Sequence, residues 1–128
     1  MCEDKKFFVC KICGNLIGMI HSSGNPIVCC GQEMTELVPN TVDASKEKHV
    51  PVITQEGNTV TVKIGSAPHP MTKEHHIAWI YLETEAGGQR KCLDVNGEPV
   101  VTFALVEGDK AKAAYAYCNL HGLWKGEA

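Results

Sequence analysis

The run Val50-Pro51-Val52-Ile53-Thr54-Gln55-Glu56-Gly57-Asn58-Thr59-Val60-Thr61-Val62-Lys63-Ile64 places two apolar segments on either side of the turn-forming Glu56-Gly57-Asn58. In its second half Val60, Val62 and Ile64 alternate with Thr59, Thr61 and Lys63. That period of two buries one face of a strand and leaves the other in water, so the stretch predicts a hairpin with one buried face. Downstream, residues 77–83, 89–94, 100–106 and 111–117 are further strand candidates, separated by Ala86-Gly87-Gly88, Asn96-Gly97-Glu98-Pro99 and Glu107-Gly108-Asp109. The alanines and lysines of 111–117 would also suit a helix, but the segment is assigned as strand. Six or seven short strands at regular spacing within about 80 residues predict an antiparallel β-sandwich.

Upstream of the hairpin the character changes. Residues 40–48 are a polar connector ending at His49, and before it Gly and Asn are frequent, with 16–20 as the only strand candidate. The sequence therefore predicts a mainly β chain of two domains, a small metal domain at 1–37 and the sandwich at 38–128. A unit of about 36 residues lies below the ~40 at which a core normally stands alone, so the first domain needs a metal or a partner chain.

Composition narrows the function. With 44% hydrophobic and 21% charged residues the chain is globular in type. A net charge of −3 argues against a nucleic-acid binder or a binder of anionic membrane surfaces, both of which show a basic face. No apolar run approaches the ~18 residues of a membrane span, and the expected location is cytoplasmic. Seven cysteines is an odd number, two of them are adjacent, and metal ligation explains them better than a disulfide framework.

Cys10-Lys11-Ile12-Cys13-Gly14 is a C-x-x-C turn, and fifteen residues separate it from Cys29-Cys30. Four thiolates at this spacing fit a tetrahedral ion, either structural zinc or a mononuclear redox iron. Adjacent cysteines have less freedom than a second C-x-x-C to place their sulfurs, which predicts a distorted site. Cys92 is expected as a small buried hydrophobe, and neither it nor Cys2 is given a role.

The second group of candidate ligands is His49, His69, His75, Cys118 and His121, each at a strand end or in a loop, where a sandwich gathers its functional residues. Four imidazoles and one thiolate do not suit structural zinc, which closes at four ligands. Iron with six positions would keep one open, and a thiolate donor favours reduction of a bound oxygen species.

Taken together, Cys10-Lys11-Ile12-Cys13-Gly14-Asn15, Val28-Cys29-Cys30-Gly31, Glu47-Lys48-His49-Val50-Pro51-Val52, Gly65-Ser66-Ala67-Pro68-His69-Pro70-Met71 and Tyr117-Cys118-Asn119-Leu120-His121-Gly122 resemble desulfoferrodoxin, the two-iron superoxide reductase family. The resemblance implies a desulforedoxin-like first domain with Fe(Cys)4 on Cys10, Cys13, Cys29 and Cys30. It implies a neelaredoxin-like, immunoglobulin-like second domain with Fe(His)4Cys, in which His49, His69, His75 and His121 lie in a plane and Cys118 is axial. The family has an aromatic after the third histidine where this chain has His76, and the spacing from His69 selects His75 as the ligand. His21 has no ligand role in the family.

The implied activity is that of an oxidoreductase acting on superoxide, giving hydrogen peroxide by one-electron reduction without dioxygen, with rubredoxin or a similar donor as electron source and a homodimer as the assembly. For an anionic substrate and an acidic chain, Lys48 is the implied local cation and Glu47 the implied carboxylate that covers the ferric centre. Two other readings fit parts of the pattern: an electron carrier without superoxide chemistry, and a zinc-binding interaction module.

Overall fold

A computed structural model describes residues 5–128, so Cys2 lies outside the described residues. The chain divides into two compact units, Met1–Val38 and Pro39–Ala128. In the first, β1 (Lys6–Val9) is the centre of an antiparallel sheet between β2 (Leu16–Met19) and the later β5 (Thr35–Glu36). A minimal hairpin of β3 (Val28–Cys29) and β4 (Gln32–Glu33) completes the unit. Its only buried apolar side chains among the described residues are Phe7 and Cys10. Burial on that scale cannot offset the ordering of so many residues, so the fold depends on its cysteines.

In the second unit a one-turn helix, α1 (Lys46–His49), leads into β6 (Pro51–Glu56) and β7 (Thr59–Ile64). The strands β8 (Ile77–Thr84), β9 (Gly87–Cys92), β10 (Val100–Ala104), β11 (Ala111–Cys118) and β12 (Gly122–Glu127) follow. One antiparallel sheet has the order β10-β7-β6 and the other β12-β11-β8-β9, which is the expected sandwich. The alternation in β7 works as its sequence predicts: Val60, Val62 and Ile64 are fully buried. They meet Phe103 from their own sheet and Ile77, Ile80, Leu82, Ala114, Ala116 and Cys118 from the other.

The segment with helix-like composition is a central strand. Ala114 and Ala116 face the core, while Tyr115 and Tyr117 on the opposite face stand across from Tyr81 and Trp79. The Trp79 and Tyr117 rings stack at 5.6 Å with planes 6° apart. Such cross-strand aromatic pairing outweighs the weak helix preference of alanine.

Several expectations need correction. The first unit contains four strands besides the one at 16–20, because strands of two to four residues are too short to carry a period. β12 is a strand beyond those expected; in it Gly126 allows close approach, and a Cβ there would overlap the Pro51 carbonyl. Gly87 and Gly88 also lie within a strand, with Gly88 packed beneath the Tyr81 ring. The strands expected at 89–94 and 100–106 end at Cys92 and Ala104, although Leu93 and Leu105 still pack on the core. Cys92 is exposed, not buried, and the Arg90 guanidinium donates to its sulfur at 3.1 Å.

Candidate metal centres

In the first unit, Cys10 follows the end of β1, and the turn after it is closed by Gly14 N–H donating to the Cys10 carbonyl (2.9 Å) and Cys10 N–H donating to Asn15 (2.8 Å). Across the unit, Cys29 ends β3 and pairs with Gln32, leaving Cys30-Gly31 as a two-residue hairpin turn with φ of 53° and 73°. Both residues are left-handed, as a tight hairpin requires, and for Cys30 this costs ~1–2 kcal/mol. The return is that adjacent cysteines present both sulfurs to one point. The four ligand atoms lie within 4.8 Å of one another.

Cys13 Sγ and Cys29 Sγ are 3.6 Å apart, close to the ~3.8 Å edge of a tetrahedron built on ~2.3 Å metal–sulfur bonds. Hydrogen bonds from the backbone N–H groups of Cys13 and Ile12 pull the Cys10 thiol down to about 6, whereas the hydrogen-bonded thiols of Cys13, Cys10 and Cys29 push Cys30 up to about 12. Four sulfurs this close cannot all be anionic unless a cation lies between them.

The second group is assembled by the sandwich from three places: α1 (His49), the β7–β8 loop (His69 and His75), and the end of β11 with the turn after it (Cys118 and His121). Ring centroids are 4.7 Å apart for His49–His69, 4.7 Å for His69–His75, 5.0 Å for His75–His121 and 4.9 Å for His121–His49. Neighbouring planes are near perpendicular, at 77° to 86°, and the His49–His75 diagonal is 6.4 Å. The four imidazoles therefore form a slightly rhombic square.

Donor and acceptor roles follow from the carbonyls that hold the rings. His49 Nδ1 donates to Ser45 O at 2.6 Å and His69 Nδ1 donates to Pro70 O at 2.7 Å, so each presents the lone pair of Nε2. Burial lowers the pKa of His49, His69 and His75, that of His69 to about 4, so these rings are neutral and able to coordinate. Nε2 of His69 and of His75 is buried without any hydrogen-bond partner. His49 Nε2 and His121 Nδ1 are 3.1 Å apart, near the ~3.0 Å between adjacent nitrogens on an ion with ~2.1 Å bonds. Buried lone pairs converging without protons fit a metal ion.

Cys118 is fully buried, 3.9 Å from His121 Nδ1, while the His75 and His121 residues are partly exposed. The sulfur thus lies on the core side of the square. Ligand atoms of His49, His75, Cys118 and His121 fall within 4.8 Å of one another, and His69 joins them through its ring contacts with His49 and His75.

Residues 41–127 match the family described as Desulfoferrodoxin, and residues 2–37 match its N-terminal domain. The chain belongs to the desulfoferrodoxin family. The desulfoferrodoxin of Syntrophotalea carbinolica is 42% identical over 99% of both chains. Among solved structures, the superoxide reductase from Treponema pallidum is similar with TM-score 0.84 and 45% identity, over 98% of this chain and 100% of that one. The single-iron superoxide reductase from Giardia intestinalis covers 65% of this chain and 98% of its own, with TM-score 0.51 and 38% identity.

In this desulfoferrodoxin family member, His76 stands apart from the square: its Nδ1 donates to Thr72 O at 2.9 Å and closes the turn before β8. The charge of Lys48 acts on His49 and His75, where it disfavours the protonated ring. The carboxyl of Glu47 accepts a hydrogen bond from its own backbone N–H, which holds it below the usual carboxylate range. Sequence reasoning passed over Trp124, whose buried ring stacks on His49 at 4.8 Å and whose Nε1 donates to His121 O at 3.0 Å. Its place three residues after His121 was the available signal.

Gly65 seats α1. Its φ is +77°, its N–H donates to Val50 O at 3.0 Å, and a Cβ on it would lie 2.5 Å from Glu47 O. Gly65→Ala combines left-handed strain with displacement of the helix that carries His49. Unfolding free energy is expected to fall by at least about 2 kcal/mol, with metal lost from the histidine centre and retained by the four cysteines. Denaturant melts and metal analysis of the purified variant check both.

Proposed function

We propose that the protein is a superoxide reductase, which adds one electron and two protons to superoxide and releases hydrogen peroxide without forming dioxygen. The observation that carries the reading is the square of four imidazoles with one buried thiol on its core side. Kinship with proteins named superoxide reductase supports it. We assign the catalytic iron to His49, His69, His75, His121 and Cys118, and a second iron to Cys10, Cys13, Cys29 and Cys30. Iron held by the first set would supply the single electron, and the Cys118 thiolate would favour its transfer.

The chain's own groups then do three things. The carbonyls of Ser45 and Pro70 fix the tautomers of His49 and His69, and Trp124 fixes the tilt of His49. The partly exposed edges of His75 and His121 define the side from which a small anion approaches. Lys48 attracts that anion: at ~6 Å and an effective dielectric of ~20 the interaction is about 3 kcal/mol before screening. Lys48 also organises the water that delivers protons. Glu47, two residues before His49, is assigned as the carboxylate that would cover an iron held there once product has left.

The same proposal divides the chain into an iron domain at 1–37 and a reductase domain at 38–128, fed by rubredoxin or a similar donor in the cytoplasm. A homodimer is supported by Ile12, Ile20 and Val28 of the first unit, which are 58%, 84% and 63% exposed. No helix among the described residues is long and apolar enough to cross a membrane.

Metal analysis, an absorption spectrum and pulse radiolysis of the purified protein test the reading together. Two irons, a coloured ferric form and consumption of superoxide at a rate on the order of 10⁸–10⁹ M⁻¹s⁻¹ are expected, with no dioxygen evolved. Two irons without fast consumption would make the protein an electron carrier. A colourless zinc protein would make it an interaction module.

A further inference from the structure

Around the histidine square, one side chain outside the donor set binds the segment that carries a donor on both sides of it. Asn119 directly follows Cys118. Its Oδ1 accepts from His76 N–H at 2.8 Å, its Nδ2 donates to Glu74 O at 2.9 Å, and its own backbone N–H donates to His76 O at 3.2 Å. These bonds grip the backbone immediately before and after His75. They stand where ordinary strand pairing fails: the β8–β11 ladder shifts register between Tyr117 and Cys118, and its last pair is Cys118–Ile77. Beyond that point a carboxamide, which offers the donor and acceptor of a peptide unit, continues the ladder.

The gripped segment is internally stiff. Thr72 N–H donates to His75 O at 2.9 Å, His75 N–H donates to Thr72 Oγ1 at 3.1 Å, and His76 Nδ1 donates to Thr72 O. A stiff turn held by its flanks moves as a body. Its position relative to Cys118 and His121 is therefore set where Asn119 holds it.

We infer that Asn119 is a positioning residue of the histidine centre, clasping the 72–76 turn so that His75 completes the square opposite His49 and beside His121. The inference rests on the proposed assignment of His75, Cys118 and His121 as ligands, and adds what sets the distance between them. Groups that orient metal ligands from outside the donor set are typically worth ~10–100-fold in metal affinity or activity. Asn119 is exposed, so its loss does not open the core.

The experiment uses the iron-loaded full chain and measures iron release to a chelator, the midpoint potential and the ferric absorption band for wild type, Asn119→Ala and Asn119→Asp. Asn119→Ala is expected to release iron from the histidine centre about ten-fold faster or more, with a shifted band and potential. Asn119→Asp keeps the acceptor for His76 N–H and should fall between. The four-cysteine iron in the same molecule is the internal control and should leave at the wild-type rate. Equal release, band and potential in Asn119→Ala and wild type would overturn the clasp, as would equal acceleration at both centres. A wild-type protein that holds iron but ignores superoxide overturns the functional reading and still lets release rates judge the clasp. A histidine centre that holds no metal overturns both.

Discussion

Cys118→Ser is expected to remove the histidine centre's thiolate-to-iron charge-transfer absorption, leaving that of the four-cysteine iron in place, and to reduce superoxide consumption further than the ~10–100-fold typical of substitutions outside the donor set. The sulfur is the one anionic donor among the five ligands assigned to that centre, and serine cannot replace it: its hydroxyl stays protonated at neutral pH and is a far weaker electron donor. Nothing else in the change is large. Cys118 is fully buried among Ile77, Ile80, Ala116 and their neighbours, and serine differs from it by one atom of smaller radius. The variant should therefore fold, with a modest fall in melting temperature from a hydroxyl buried in an apolar cluster. The near-ultraviolet circular dichroism separates a lost ligand from a lost fold. A wild-type-minus-Cys118→Ser difference spectrum with no charge-transfer band, in folded protein that keeps both irons, would show that Cys118 is not a ligand.

The second large effect is expected at Lys48. The chain carries a net charge of −3, so without a local cation its field repels a superoxide anion. Lys48 directly precedes the proposed ligand His49 in α1, and after burial its charge is among the causes that lower the pKa of His49 and His75. Lys48→Ala should slow the bimolecular reaction about ten-fold or more. That corresponds to about 1.4 kcal/mol, well within the unscreened attraction of about 3 kcal/mol. Its salt dependence should weaken as well, because the term that salt screens has been removed. Lys48→Arg should restore most of the rate. A rate in Lys48→Ala equal to wild type at low ionic strength would remove the steering role.

The sandwich was legible because its residues repeat. Val60, Val62 and Ile64 alternate over a full strand, and the turn residues between segments mark where one strand stops. The strands that escaped notice lack such repetition: β3, β4 and β5 are two residues each, and β12 contains two glycines whose purpose is visible only from the Pro51 carbonyl beside one of them. Cys92 shows the opposite failure, since average burial of free cysteine says little about the end of an edge strand. For the centres, ligand types and spacing picked out the residues that the structure brings together, His75 in preference to His76 included. What spacing cannot express is the surrounding support. The Ser45 and Pro70 carbonyls, the Trp124 ring and the Asn119 carboxamide act through contacts between segments far apart in the chain.

The two centres also differ in how much chain must be gathered to make them. The four cysteines lie between residues 10 and 30, whereas the histidine group draws on residues 49 to 121, a loop more than three times longer. By loop-closure entropy alone the longer span costs only about 1 kcal/mol more, so the important difference is one of order in time. A chain made from its N-terminus has all four cysteines about ninety residues before His121. The first centre can thus take its ion during synthesis, from whatever thiophilic metal is then free. The second exists only after both sheets have closed, and its selectivity is that of a finished, rigid cavity.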